Sequence, residues 1–435
     1  MTNLVDREDD LPTLHFDPWL VSRSAALTAC AAEISARLPL PAITPGRKRR
    51  SDALERRERC IEALTANLVW AALDPADYDG LAVPLANRKK TRYDGRAFNT
   101  DVLHATVKGF EGLGLITSDG AVFKQKRTLL HPTEAFRDLL GEHGVGFGDI
   151  GRLVGQETVE LWTDRHGPQA KELLDYKDAP ETEKLRHEMA RINATLAGAD
   201  ICLDGKPIPA PCLVRKFHQA YAAAEPQFNL HGRLYGGAWQ NLPKTKRYLL
   251  SIDGEQVCDL DFSSMFVRLA YCHVGEEPPA GDLYAIPGLE NFRDVVKRAL
   301  NSLLFREGHA VRFSPELKAL LPPGWTMPRF KVAAAEYHPQ IADLFDTNIG
   351  FELMAKESGI LVGVLLKLSE LGVPALPMHD GVMVPAGRKH VALRIMEEVS
   401  AELAGWRLPV AEKAIEEPST KYDENARVTN GGFRS

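Results

Sequence analysis

The chain has 435 residues, 44% hydrophobic and 26% charged, with a formal net charge of -6. That length allows two or three domains or one large multi-lobed body, and the balance is that of an ordinary soluble protein with no global basic signal. No apolar run approaches a membrane span, Met1 leads into Asp6-Arg7-Glu8-Asp9-Asp10 rather than an apolar leader, and the cysteines show no CxxC spacing, so a reduced cytoplasmic protein without structural zinc is expected.

Residues 1–50 read as an N-terminal helix and a basic linker. An amphipathic helix is expected over 19–38; Pro39, Pro41, Pro45 and Gly46 break the chain after it. The run Arg47-Lys48-Arg49-Arg50 is then either a solvated lead-in or a phosphate contact. Residues 51–135 form the next unit. Apolar positions from Leu54 to Ala72 recur at helical spacing, and Asn99 or Thr100 looks like the N-cap of a helix reaching Leu113. Ser118-Asp119-Gly120 reads as a hairpin turn into a strand carrying Val122, Phe123, Lys124, Lys126 and Arg127. Two helices and a basic ribbon resemble a winged helix. With Arg88 just upstream, Lys89, Lys90, Arg92, Lys124 and Lys126 become candidate nucleic-acid contacts; the alternative is a module that only scaffolds the C-terminal part of the chain. Residues 136–225 are expected to be mostly helical, a thumb-like or connecting region whose best helix covers 181–196.

The chemistry lies in residues 226–435. The stretch 256–262 alternates enough to be a strand and sets Asp259 and Asp261 on one face. A strand-end Asp is usually a turn or cap residue, yet it also offers a hard cation such as Mg²⁺ a fixed oxygen. The stretch 292–305 has no internal Gly or Pro and sets Arg293, Lys297, Asn301 and Phe305 on one slowly drifting stripe. Such a stripe is either a solvated helix face or a cradle for triphosphate oxygens and a pyrophosphate leaving group. An apolar helix over 361–371 leads to two short strands around His379-Asp380-Gly381; Asp-Gly is a common turn dipeptide, so a plain hairpin is the bland alternative. An acid on a strand, a cationic helix and a second acid in a hairpin are, in that order, what two-metal nucleotidyl transfer requires.

These segments carry a resemblance. Asp261-Phe262-Ser263-Ser264-Met265-Phe266-Val267-Arg268 resembles the first palm motif of the family A DNA polymerases, the bacterial DNA polymerase I group, whose form is Asp-Tyr-Ser-x-Ile-Glu-Leu-Arg. Gly232-Arg233-Leu234, followed by Gln240-Asn241-Leu242-Pro243, resembles that family's primer-template tracking segment. Arg293-x3-Lys297-x3-Asn301-x3-Phe305 resembles its Arg-x3-Lys-x3-(Phe or Tyr)-x3-Tyr-Gly helix, and His379-Asp380-Gly381 its His-Asp-Glu hairpin. The resemblance covers roughly residues 230–415, in the family's order.

The resemblance implies an α+β fold: a right-hand palm with an antiparallel sheet and helical fingers. It implies a compact, divergent enzyme, a DNA-directed DNA polymerase from a phage or mobile element. Asp261 and Asp380 would hold two Mg²⁺ ions, with Mn²⁺ as a substitute, the carbonyl of Phe262 as a further ligand and Asp259 as an auxiliary. Arg293 and Lys297 would contact the triphosphate, with Asn301 also on the nucleotide side and Phe305 the ring beside the nascent base pair. Arg233, Gln240, Asn241 and His379 would lie along the nucleic acid. Phe266 stands where the family has the Glu that blocks a 2′-hydroxyl, and Phe305 has no phenol to bond one, so deoxynucleotides are expected. Primer-template DNA and dNTPs are the implied partners, with replication proteins of a mobile element beside them and no membrane.

Four departures stand out. Asn301 and Arg306 break the helix pattern, Gly381 replaces an accessory Glu, and a short span from Lys297 to Asp380 implies trimmed fingers, with 307–337 expected to be irregular. No proofreading exonuclease motif is found. The rival readings are an RNA polymerase or primase-like enzyme on the same fold, and a non-catalytic DNA-binding replication initiator with a decayed palm.

Overall fold

The computed structural model describes residues 13–40, 52–74, 78–85, 91–94, 99–119, 128–163, 171–209, 211–222, 224–308 and 312–415. The chain is a mixed α and β protein with antiparallel sheets and many helices. Its N-terminal lobe comprises β1 (Thr13–His15), β2 (Leu20–Ser22), α1 (Ala25–Arg37), α2 (Ala53–Leu73), β3 (Gly80–Val83), α3 (Thr100–Gly112), β4 (Ile116–Asp119), β5 (Thr128–Pro132), α4 (Glu134–His143) and β6 (Ile150–Arg152). One apolar core runs through it from Phe16 to Ile150, and α1 contributes Leu27, Cys30 and Ile34. The first helix starts at Ala25 rather than near Trp19 because Leu20–Ser22 pairs with Ile150–Arg152, and Ser24 caps the helix by accepting from Leu27 N. Asn99 caps α3 in the same way. The strands order β1-β3-β5-β4. The basic run 47–50, Lys89, Lys90, and the stretch 122–127 with Lys124 and Lys126 lie outside the described residues.

The middle of the chain corrects an expectation. Instead of being mostly helical, it contains β7 (Val159–Thr163), β8 (Leu173–Leu174), α5 (Pro180–Ala197), β9 (Ile201–Leu203), β10 (Lys206–Pro207) and β11 (Val214–Gln219), with β12 (His231–Tyr235) next in the chain. In β7, buried Val159, Leu161 and Thr163 alternate with half-buried Glu160 and Trp162. That period-two signal is too short to stand out in a sequence beside the long stripe of α5. Strands β12-β11-β7-β8 make one sheet.

The C-terminal part supplies β13 (Leu250–Ile252), β14 (Glu255–Phe262), α6 (Met265–His273), α7 (Arg293–Leu304), α8 (Pro315–Leu320), α9 (Met327–Tyr337), α10 (Gly350–Glu370), β15 (Leu376–Met378), β16 (Gly381–Pro385), α11 (Lys389–Ala404) and β17 (Val410–Lys413). An antiparallel sheet of order β10-β9-β13-β14-β16-β15 takes β17 as a further partner of β14. Leu260, Val382, Val384, Val364 and Leu368 share the core between this sheet and its helices. The segment 307–337 contains helices where irregular chain was expected. Pro315 and Pro328 occupy first-turn positions, where a proline lacks no needed N–H, and Ser314 and Thr326 cap the two helices. Among the described residues no helix is long and apolar enough to cross a membrane.

Candidate active site

The centre of the sheet is the contact between β14 and β16. Their register sets Asp261 opposite Gly381, and Phe262 N donates to the carbonyl of Asp380 at 3.1 Å. Ser263 N donates to Pro409 O, and Ser264 takes a left-handed conformation with φ of 54° that turns the chain from β14 into α6. Arg268 holds this corner by donating from Nε to Ser263 O at 3.0 Å and from Nη1 to Pro279 O at 2.8 Å. At Gly381 there is no room for a side chain, since a Cβ would lie 2.2 Å from Leu260 O. The close approach of two backbones is what brings the two acids together.

Asp261 and Asp380 are hydrogen-bonded to each other. Burial, then the charge of Asp380 and the bond to it, push the Asp261 carboxyl up to about 8, against the pull of Lys413. Burial would raise Asp380 too, but the bond from Asp261 and the charges of Lys413, Arg233 and Lys297 hold it below the ordinary carboxylate value. The pair therefore shares a proton, as two half-buried carboxyl groups in contact do. Lys413 Nζ lies 2.6 Å from Asp261 Oδ2. Asp259 does not join the pair. It is buried and bound to Arg247 Nη1 at 2.9 Å, so its expected auxiliary role is corrected to that of an internal ion-pair partner.

The donor set suits a hard divalent cation, because paired carboxylate oxygens already hold one proton and attract one ammonium. Among the described residues no group of three or more His, Cys, Asp and Glu side chains could hold a metal. A Mg²⁺ ion here would therefore draw its other ligands from backbone, substrate phosphate and water, which is its habit.

Of the other residues singled out from the sequence, Arg233 and Lys297 lie close enough for their charges to act on Asp380. Arg233 in β12 is gripped by the fully buried Glu357 of α10, with Nε at 2.7 Å and Nη2 at 3.0 Å from its two oxygens. The guanidinium carbon also lies 5.6 Å from the centre of the Phe266 ring. Phe266 in turn meets Phe305 edge-on at 4.9 Å, and Phe305 meets Phe351 at 5.5 Å. On α7, Lys297 is exposed yet close enough for its charge to act on Asp380. Arg293 pairs with Asp282 at 3.1 Å and lies over the ring of Tyr284 at 5.1 Å. Among the described residues, buried Asn301 Oδ1 has no hydrogen-bond partner.

The segment 232–243 is braced against the hairpin. Gln240 Nε2 donates to Leu234 O at 2.9 Å and Trp239 Nε1 to Pro377 O at 3.0 Å, two residues before His379. Asn241 and His379 are exposed. Arg92 is engaged by carboxylates of its own chain. Its guanidinium pairs with Asp175, Asp178 and Glu157 and covers the Tyr176 ring at 4.0 Å, and these carboxylates satisfy the charge that a phosphate would otherwise meet.

Residues that sequence reasoning missed are Lys413, Glu357, Arg247 and Tyr284, whose hydroxyl bonds Ser264. Glu357 and Lys413 have a signal only in hindsight. One is a carboxylate on the buried face of an apolar helix, the other a lysine on a strand whose partner cannot be read from spacing.

No family model matches the chain, and no curated protein does. Among solved structures, the POL domain of Pol1 from M. smegmatis in complex with DNA primer-template and dNTP matches at 12% identity over 91% of this chain. The chain covers 66% of that neighbour, with a TM-score of 0.26.

Proposed function

We propose that this chain is a template-directed DNA polymerase that adds a dNTP to a primer 3′-hydroxyl. The observation that carries this reading is the Asp261–Asp380 pair, drawn together by the β14–β16 register and faced by Lys297. Asp261 and Asp380, with the carbonyl of Phe262, would hold Mg²⁺ or Mn²⁺. When bound, the metal would activate the 3′-hydroxyl and stabilise charge on the departing pyrophosphate. Lys297 and Arg293 neutralise triphosphate oxygens, and Arg293 must first release Asp282. The unsatisfied Asn301 Oδ1 can accept a hydrogen bond on the nucleotide side. Arg233, fixed by Glu357, lends positive charge to the acids, so its part is in positioning. Gln240 reaches the hairpin through Nε2, which lies 3.4 Å from Pro377 O, while Asn241 and His379, both exposed, would line the primer-template.

In the N-terminal lobe, the order α2, β3, α3, β4, β5 with β5 between β3 and β4 supports the winged-helix reading. Lys89, Lys90, Lys124 and Lys126 would supply its phosphate contacts.

Sugar choice rests on the Phe266–Phe305 contact, which sets edge-on two rings that cannot hydrogen-bond a 2′-hydroxyl. Phe266→Gly is expected to raise ribonucleotide incorporation relative to deoxynucleotide by roughly tenfold or more, read by single-nucleotide extension with matched dNTP and rNTP.

The deciding experiment extends a labelled DNA primer on a template with Mg²⁺, using dNTPs in one reaction and rNTPs in another. Extension with dNTPs that Asp261→Ala and Asp380→Ala both abolish supports the proposal. Extension with rNTPs and no primer would instead mark an RNA polymerase or primase-like enzyme. One observation favours a second reading, a replication initiator with a silent palm: Lys413 already sits on Asp261. Tight DNA binding with no extension from either substrate set would establish it.

A further inference from the structure

Lys413 reaches the acids from an edge of the sheet that the motif resemblance does not involve. Strand β17 lies on the opposite side of β14 from β16, and its register places Lys413 against Asp259 and Ala411 against Asp261. The direct partner Asp259 is already bound by Arg247. Lys413 instead runs diagonally to Asp261, with Nζ 2.6 Å from Oδ2, the acid 14% and the lysine 45% exposed. The flexible stem enters from solvent and can return there.

Resting on the proposal that Asp261 and Asp380 hold metal, we infer that Lys413 is the resting counter-ion of the acid pair, occupying the Asp261 oxygen that a divalent cation must take. Metal entry then requires the ammonium to leave, and the residue sets how much metal the site needs. The physical grounds are crowding and charge. A Mg–O bond is about 2.0–2.1 Å long, so an ammonium on the same oxygen would stand within a few ångströms of a doubly charged ion. While Lys413 stays, its charge also offsets the negative charge of the pair that attracts metal. The neighbouring cations do not have this part. Arg233 is held bidentate by Glu357, and Lys297 belongs to α7 and faces Asp380. Lys413 alone among these three sits on Asp261 at ion-pair distance.

The test measures Mn²⁺ binding to the full chain directly, by the electron paramagnetic resonance signal of free Mn²⁺, in the absence of nucleotide. Lys413→Met and Lys413→Gln should each bind Mn²⁺ roughly tenfold more tightly than wild type. Lys413→Arg should stay near wild type, and Asp261→Ala should lose the site. Unchanged or weaker binding in both neutral variants, with Asp261→Ala still losing it, would overturn this inference and leave the metal acids standing. Absence of Mn²⁺ binding in every protein would overturn both. Thermal melts accompany the titration, and loss of the folded state in both neutral variants would also overturn the inference, by making Lys413 a structural strut.

Discussion

Asp380→Asn should abolish nucleotide incorporation and at the same time stabilise the metal-free protein at neutral pH. The loss of activity follows from removing one of the two carboxylates proposed to hold metal, and is expected to be about 10³-fold or more. The gain in stability follows from the acid pair itself. Burial first, and then the charge of Asp380 and the bond to it, raise the Asp261 carboxyl from 3.8 to about 8. The folded chain thus keeps a proton that the unfolded chain has released, so stability falls as pH climbs from about 4 toward about 8. The lowered Asp380 works in the opposite sense, but only below ordinary carboxylate values, where the unfolded chain takes up protons that the folded one refuses. An asparagine amide can donate to an ionised Asp261, which then keeps its bond to Lys413. Thermal melts near pH 5 and near pH 8 should show the wild type losing stability across that window and Asp380→Asn losing less, since burial alone still raises Asp261, with a gain of about 1 kcal/mol for the variant at neutral pH. Mg²⁺ should protect the wild type increasingly as pH rises, since it binds the fully ionised pair. A variant that is inactive but no more stable than wild type would mean the two acids do not strain the fold.

The parts of the site legible in the sequence are those carried by local pattern. The strand carrying Asp261, the helix bearing Arg293 and Lys297, and the short strands flanking Asp380 can each be placed within a residue or two, because each has a period or a turn signal of its own. That Asp261 and Asp380 should meet is implied by motif order, not by spacing. The contacts that tune them are out of reach of a sequence. Arg233 reads as a nucleic-acid contact, and only the fold shows Glu357 beneath it, 124 positions away. Arg92 reads the same way until β8 and the chain after it bring Asp175 and Asp178 alongside. A sequence shows which residues are charged; which partner each charge finds depends on long-range pairing. The same limit explains the missed strands β7 to β11, whose stability comes from neighbours rather than from strong local periodicity.

Gly381 carries the second large expectation. In the resembled hairpin this position is a glutamate, and its loss here could pass for decay of a catalytic site. The geometry argues otherwise. A Cβ at Gly381 would stand 2.2 Å from Leu260 O, and 3.0 Å from both Asp261 Cα and Asp261 Oδ1. Leu260 cannot retreat, because β14 is paired with β16 on one side and with β17 on the other at that point. Any side chain must therefore push the strands apart where the acids meet. Gly381→Ala is expected to cost about 3 kcal/mol of stability and to lose incorporation with it. Gly381→Glu should fare no better, despite restoring the resembled residue, since it brings the same Cβ. Gly359→Ala is the matched control: it lies in α10 with nothing within 4 Å of its Cβ, so it should be neutral or slightly stabilising. Denaturant unfolding and primer extension on the three variants decide the matter. Wild-type stability in Gly381→Ala would show that β14 and β16 can part, and would return the glycine to the status of a lost glutamate. Loss of stability and of activity together would show that the glycine is what allows the two acids to come within reach of one metal site.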